Sequence, residues 1–319
     1  MDEQEQGLQL DKLGHQVLEM IARAVIGKND QIWKTLLAIL ARGNILLEDM
    51  PGVGKTTLAL AFSKALSLDY SRMQFTPDVL PSDITGFSVY NKDTRELEYS
   101  PGAIMCNLFL ADELNRATSR TQSALLEAME EGQVTVDGIS HPLPQPFMVM
   151  ATQNPAGAAG TQLLPESQLD RFMLRLTLGY LDHHEEVMLV EKKQKANLLD
   201  LVEPVLDSAR LEEMRRQVDQ VYVHKDLLDY IVTLVGKTRN SPDILVGASP
   251  RASIDLTALA KAAAYLCGRD YVIPEDIDPL FTSTLAHRLI LQPGYGNDAA
   301  TADEVLWELL NAVPQPQLR

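Results

Sequence analysis

Apolar residues recur with a helical period over residues 8–24, at Leu10, Leu13, Val17, Leu18, Ile21 and Ala24. They do so again over 29–42, at Ile32, Trp33, Leu36, Leu37, Ile39 and Leu40. Each stretch predicts a helix, closed by Gly27 and Gly43 respectively. A short apolar run at 45–48, a glycine-bearing loop and a third helix over 56–66 follow. From 71 to 102 the helical period breaks at Pro77, Pro81, Gly86, Pro101 and Gly102, and 87–90 with 97–99 read as a hairpin turning at Asn91-Lys92-Asp93. The apolar run 103–111 reads as a buried strand ending in Asp112-Glu113. Next come a helix over 118–131, a strand–turn–strand over 133–146 and a buried strand over 147–151. A polar, glycine-rich stretch (152–170) leads to a short strand at 172–178.

Beyond about residue 180 the pattern is helical: 182–197, 208–220, 224–238, 250–267, 274–290 and 301–311, with Met and Leu stripes that read as core. Alternating strands and helices followed by helices alone predict an α/β part and a smaller all-α part. The boundaries fall at 1–180, a linker helix at 181–205, and 206–319. The chain's 319 residues suffice for two or three ordinary domains.

Composition narrows the function. Hydrophobic residues at 45% and charged residues at 23% are those of a soluble globular protein, and 6% aromatics imply an aliphatic core. With 28 Lys+Arg against 44 Asp+Glu the net charge is −16. That opposes nonspecific nucleic-acid binding, which depends on cationic groups displacing counterions. Cys106 and Cys267 form no metal or redox pair and are expected to be buried free thiols, as suits the reducing cytoplasm. The opening residues are acidic where a secretory leader is basic and then apolar. No apolar run approaches the roughly 18 residues of a membrane helix. The expectation is a soluble cytoplasmic protein without membrane insertion.

The stretch from Leu46 to Thr57 carries chemistry. It reads as strand, loop and helix, and matches the phosphate-binding pattern G-x-x-x-x-G-K-[ST] except that Asp49 stands at the first glycine. Gly52 and Gly54 allow backbone angles that turn consecutive N–H groups toward a phosphate. Pro51, Gly52, Val53, Gly54, Lys55, Thr56 and Thr57 form the candidate nucleotide loop. Lys55 is placed for the β and γ phosphates, and the Thr56 hydroxyl for Mg²⁺. Asp49 puts a carboxylate near the phosphates, but Asp tolerates left-handed angles, so the turn is expected to survive.

Phosphoryl transfer to water also needs a carboxylate for Mg²⁺, a group that acts on water, and positive charge. Asp112 and Glu113 lie at the end of a strand, 57 residues after Lys55 (112 − 55), which suits metal binding and water activation respectively. Asn154 follows the 147–151 strand; it reads as a turn before Pro155, or as an amide that orients the water. Arg171 and Arg251 are either surface arginines or the missing cations. His183-His184-Glu185-Glu186 reads as a solvated helix start with an Asp182–Glu185 capping box, since adjacent helical residues point about 100° apart and chelate poorly.

Taken with further segments, these residues resemble the MoxR family of AAA+ ATPases from about residue 10 to 290. The segments are Glu48 to Thr56, Phe75 to Gly86, Leu110 to Ala117, Gln122 to Met129, Ala151 to Pro155, Leu169 to Phe172 and Gly247 to Arg251. The resemblance implies a P-loop NTPase with a doubly wound parallel sheet and a helical lid, assembled as a homo-oligomeric ring of six subunits with ATP between neighbours. It implies Lys55 and Thr56 in the first phosphate motif, Asp112 and Glu113 in the second, and Asn154 as the sensor. Arg171 matches an arginine finger for the neighbour's γ-phosphate. Arg251 matches the lid sensor, acting in its own or the adjacent subunit. Val25, Ile26 and Gly27 match the segment beside the adenine. Residues 76–102 resemble the helix-2 insertion, and 133–146 the hairpin before the sensor strand. The implied function is Mg²⁺-dependent ATP hydrolysis by a chaperone that matures client complexes, with a von Willebrand factor A domain partner. The alternatives are a chelatase-type motor, a nucleotide-gated scaffold, and a nucleic-acid motor. The last is disfavoured by the charge and by a first hairpin whose only cations are Lys92 and Arg95.

Overall fold

Helices α1 (Glu3–Ala22) and α2 (Asn29–Leu40) lead to β1 (Ile45–Glu48), and α3 (Lys55–Ala65) carries the chain from β1 to β2 (Tyr70–Gln74). The computed structural model describes residues 3–154, 164–292 and 301–317. A short helix, α4 (Pro81–Thr85), opens the hairpin β3 (Gly86–Tyr90) and β4 (Leu97–Pro101), and β5 (Leu108–Asp112) re-enters the sheet. Helix α5 (Ser119–Glu131) precedes a second hairpin, β6 (Gln133–Val136) and β7 (Ile139–Pro142). Then come β8 (Met148–Gln153), α6 (Glu166–Leu169) and β9 (Leu174–Leu176).

The main sheet has the order β2-β5-β8-β1-β9, and every pair in it is parallel. Its central strands are buried on both faces, as crossover helices require. In β5, Leu108 and Leu110 enter one core cluster while Phe109 and Ala111 enter the other. In β8 Met148 and Met150 alternate in the same way with Val149 and Ala151. The chain leaves β1 toward β2 on one side and closes with β9 on the other, so the order reverses at β1. In such sheets ligands sit beyond the carboxyl ends of the strands at that reversal.

The rest of the chain is α7 (His183–Lys195), α8 (Ser208–Gln220), α9 (Lys225–Asn240), β10 (Ile244–Val246), α10 (Pro250–Leu266), α11 (Asp278–Leu285), β11 (Ile290–Leu291) and α12 (Ala302–Ala312). One core cluster runs from Ile45 and Leu47 of β1 through α2 into Met214, Leu256 and Phe281 of these helices. The fully buried Arg215 of α8 reinforces the junction, its Nε donating to Ile39 O at the end of α2 over 2.9 Å.

Several expectations need correction. The second part is not all-α, because β10 and β11 pair antiparallel. The helix expected over 274–290 is 3₁₀ at Pro274–Asp276, α-helical at Asp278–Leu285 and 3₁₀ again at Ala286–Arg288. Only the last part of the 103–111 run is strand; Ala103 and Ile104 instead donate backbone hydrogen bonds to Asp83 and Ile84 of α4. Strand β2 is not among the expected strands: it lies at the sheet edge with no fully buried residue, so it lacks an apolar run. Cys106 is buried, but Cys267 is exposed because it caps α10, past the last buried turn. The first helix ends at Ala22 rather than beside Gly27, whose backbone is left-handed (φ 70°). No described helix is long and apolar enough to cross a membrane.

Candidate nucleotide site

Beyond β1 the chain turns through Gly52 (φ 91°) and Gly54 (φ 104°), angles that L side chains adopt only with strain. A Cβ at either glycine would meet nothing within 4 Å, so the space above the loop is open. Helix α3 starts at Lys55 with Gly54 as its N-cap and no side chain capping its first amides. Free N–H groups and the positive helix end therefore face the same space, as an anion requires.

Lys55 is buried, and its Nζ donates to Asp49 O at 2.6 Å. Burial pushes this ammonium below its ordinary pKa, while Asp49, Asp112 and Glu113 pull the other way. Asp49 does not adopt the left-handed angle expected of it. Its carboxylate is buried and is not part of the cleft lining, Oδ1 accepting from Met50 N at 2.9 Å and Oδ2 from Gly179 N at 2.7 Å.

The ends of β5 and β8 supply the acidic side of the cleft. Thr152 is completely buried; its Oγ1 donates to Asp112 Oδ1 at 2.7 Å and accepts from Glu113 N at 2.8 Å. Arg72 of β2 reaches Asp112 Oδ2 with Nη2 at 2.7 Å and Nε at 3.2 Å. Glu113 has φ 56° and ψ 45°, a left-handed conformation that is strained for a non-glycine residue. Its Oε2 accepts from Arg116 Nη1 at 2.8 Å and its Oε1 from Asn154 Nδ2 at 3.2 Å. The Arg116 hydrogen bond holds the Glu113 carboxyl below the usual range, with burial opposing and Asn154 assisting.

These groups line one cleft of about 390 Å³, with Pro51, Gly52, Gly54, Lys55, Thr56 and Thr57 on one side and Arg72, Gln74, Asp112, Glu113 and Asn154 on the other. Val53 packs partly against the core instead, and Val25 and Ile26 are buried within it. Gly27 lies outside the lining, against the Glu185 carboxyl group, which a Cβ at this position would overlap. Arg171 and Arg251 are also absent from the cleft: Arg171 Nη2 lies 3.0 Å and Arg251 Nη1 3.8 Å from the carboxylate of Glu130. Pro155 falls outside the described residues.

The donor set fits a nucleotide with a hard cation. Amides and Lys55 face a hydroxyl (Thr56) and a carboxylate (Asp112), oxygen ligands of the kind Mg²⁺ takes alongside phosphates. Among the described residues no group of three His, Cys, Asp or Glu side chains could hold a metal alone. The Asp182–Glu185 capping box is present, with Glu185 N donating to Asp182 Oδ1 at 2.7 Å.

Sequence reasoning missed Thr152, Arg72, Arg116 and Glu130. Thr152 lies inside the Ala151-to-Pro155 motif, and its place two residues before Asn154 puts it at the same strand end. Arg116 is three residues after Glu113, within reach once that segment is helical. Arg72 and Glu130 had no local signal, because their partners are set by sheet order and by packing.

The profile of the family described as "ATPase family associated with various cellular activities (AAA)" matches residues 44–174, and that of the AAA lid domain matches 236–309. The Bacillus subtilis protein YeaC, itself uncharacterised, is 47% identical over 95% of this chain and 94% of its own. Chaperone MoxR1 of Mycobacterium tuberculosis is 36% identical over 93% of this chain and 81% of its own. Protein MoxR of Methylorubrum extorquens is 30% identical over 93% of each. The crystal structure of a candidate ATPase from Cytophaga hutchinsonii superposes with a TM-score of 0.91, at 37% identity and 98% coverage of both chains.

Proposed function

Since the chain belongs to the MoxR family of AAA+ ATPases, we propose that it hydrolyses ATP as a ring of subunits, six in the expected form. The energy released would remodel a client protein complex, with a von Willebrand factor A domain protein as partner. Residues 1–180 would form the nucleotide-binding unit, 181–205 the linker and 206–319 the lid. The observation that carries this reading is the hydrogen bond of Asn154 to Glu113 in one cleft with Lys55.

The loop amides and the end of α3 bind the phosphates, and Lys55 exchanges Asp49 O for a phosphate oxygen. Thr56 and Asp112 would hold Mg²⁺, which offsets phosphate charge when bound. Glu113 is anionic at neutral pH, as an ordinary glutamate is, and Arg116 lowers its pKa further; it accepts a hydrogen bond from the attacking water and polarises it. Asn154 fixes the Glu113 carboxylate and orients that water in line. Gly27 and its neighbours flank the base. Arg171 and Arg251, absent from their own cleft, would reach the nucleotide of the adjacent subunit. An arginine supplied in this way contributes on the order of 10³ to 10⁵ in rate, so an isolated subunit should be nearly inactive.

The test is the rate of ATP hydrolysis per subunit against protein concentration with Mg²⁺, using Glu113→Gln as the blank. The expected rate rises with concentration and saturates. A rate that stays at the blank while ATP still binds would overturn the reading.

A further inference from the structure

Arg171 and Arg251 are distant in sequence, yet both end on one carboxylate. Glu130, in the last turn of α5, places Oε2 3.0 Å from Arg171 Nη2 and Oε1 3.8 Å from Arg251 Nη1. The two backbones are already fastened to each other without Glu130. Asp170 accepts from Ser249 Oγ at 3.0 and 3.1 Å and faces Arg288 Nε at 3.5 Å, while Ser249 caps the helix whose second residue is Arg251. Phe172 O accepts from His287 Nε2 and Arg288 Nη2, each at 2.8 Å. Residues 170–172 and 249–251 thus form one block, from which the two partly exposed guanidiniums extend to Glu130.

Two like charges on one block repel unless an anion lies between them. We propose that Glu130 is a positioning residue: it holds Arg171 and Arg251 together as a two-pronged unit for the nucleotide phosphates of a neighbouring copy of this chain. The proposal rests on the ring ATPase reading. Each guanidinium has five N–H donors, so a contact with one carboxylate oxygen leaves others for phosphate. Ion pairs as exposed as these contribute little to folding stability. The benefit appears on association, when two long side chains are already confined near the productive geometry.

The test compares Glu130→Ala, Glu130→Gln and Glu130→Asp in the full chain, at saturating protein and ATP. Misplacing both arginines should cost less than deleting one, so kcat is expected to fall about 100-fold for Ala and about tenfold for Gln, against the 10³ to 10⁵ of an arginine finger. Glu130→Asp, which keeps the charge, should recover part of the loss. ADP affinity and the thermal midpoint should match the wild type, because Glu130 touches neither the cleft nor the core. Mixing the slow Glu130→Ala with inactive Glu113→Gln should raise turnover above that of Glu130→Ala alone, since the second variant brings intact arginines to the intact cleft of the first. Wild-type kcat in Glu130→Ala, or a mixture no faster than Glu130→Ala alone, would overturn the proposal. So would a loss of ADP affinity or of stability equal to the loss of rate. A wild-type chain that does not hydrolyse ATP would refute the ATPase reading itself, and the proposal with it.

Discussion

Asp49 Oδ2 accepts a hydrogen bond from Gly179 N at 2.7 Å, joining the first position of the phosphate loop to the segment that leads into α7. One residue on, Tyr180 O accepts from Lys28 Nζ at 2.9 Å, and Glu185 of α7 lies against Gly27. The loop, the 25–28 segment and the start of α7 are therefore fastened at three points. A carboxylate at a phosphate loop is unfavourable only if it faces the phosphates, and this one is buried and committed to backbone amides.

Asp49→Ala removes a charged acceptor from two backbone N–H groups. Hydrogen bonds to charged groups are worth about 1.5–3 kcal/mol, so unfolding free energy should fall by about that amount in urea. ADP affinity should stay within a few fold, because the carboxylate is not part of the cleft lining. Asp49→Asn should fall between the two. Wild-type stability in Asp49→Ala would show that water replaces the carboxylate without loss.

Elements with a strong local pattern were legible in the sequence. Strand β1, helix α3, helix α5 and the α7 capping box all rest on contacts within a few residues. The phosphate loop was legible because its chemistry lies in consecutive residues, and Asp112, Glu113 and Asn154 because each ends a buried run. Strand β2 was not, since its edge position leaves polar residues exposed and no apolar run, and the β10–β11 pair was not, since three and two apolar residues are too short a run to tell from the flanking helices. The Arg72–Asp112 bond depends on β2 lying beside β5, a relation no local spacing encodes. Glu130 was invisible for the same reason: it joins three helix or strand ends that meet only in the folded chain.

Arg116 sets the acid limit of Glu113. Its hydrogen bond is the largest cause of the depressed Glu113 pKa, ahead of burial, which acts in the opposite direction. Glu113 therefore stays anionic to lower pH than it would without Arg116. In Arg116→Ala that protection is lost, and the acid limb of kcat should move to higher pH. The check is kcat against pH for both proteins, with folding followed by circular dichroism. An unmoved limb would mean that a different group controls it.

Thr152 joins the two acidic residues of the cleft through one buried hydroxyl. Thr152→Val keeps the shape but leaves the Glu113 N–H and one Asp112 oxygen without that partner. Each unsatisfied buried group costs about 1–3 kcal/mol, and the left-handed Glu113 backbone loses a restraint on strain worth about 1–3 kcal/mol. The expected outcome is a kcat at least tenfold lower, by roughly the 1.4 kcal/mol that a factor of ten represents. ADP affinity should be little changed, and Thr152→Ser should retain most activity. Parallel loss of ADP binding would place Thr152 in holding the loop rather than Glu113.

His287 makes the block behind Arg171 sensitive to acid. Its ring is buried beside Arg288, and burial, with that neighbouring charge, pushes its pKa down to about 3. Neutral His287 donates Nε2–H to Phe172 O at 2.8 Å, next to Arg171. An unfolded chain has this histidine near the ordinary value of about 6.5. Between those two values the unfolded state binds a proton that the folded state does not, so stability falls as pH drops through that window. The slope is at most about 1.4 kcal/mol per pH unit for one group. His287→Gln can keep a donor to Phe172 O without the titration. Between pH 7 and pH 5 the wild type should therefore lose about 2 kcal/mol more unfolding free energy than this variant. Urea unfolding at the two pH values measures the difference directly, with every other histidine common to both proteins. Equal losses would show that His287 gains solvent or a proton without unfolding. In that case acid would loosen the hold on Phe172 and Arg171 while the rest of the chain stays folded.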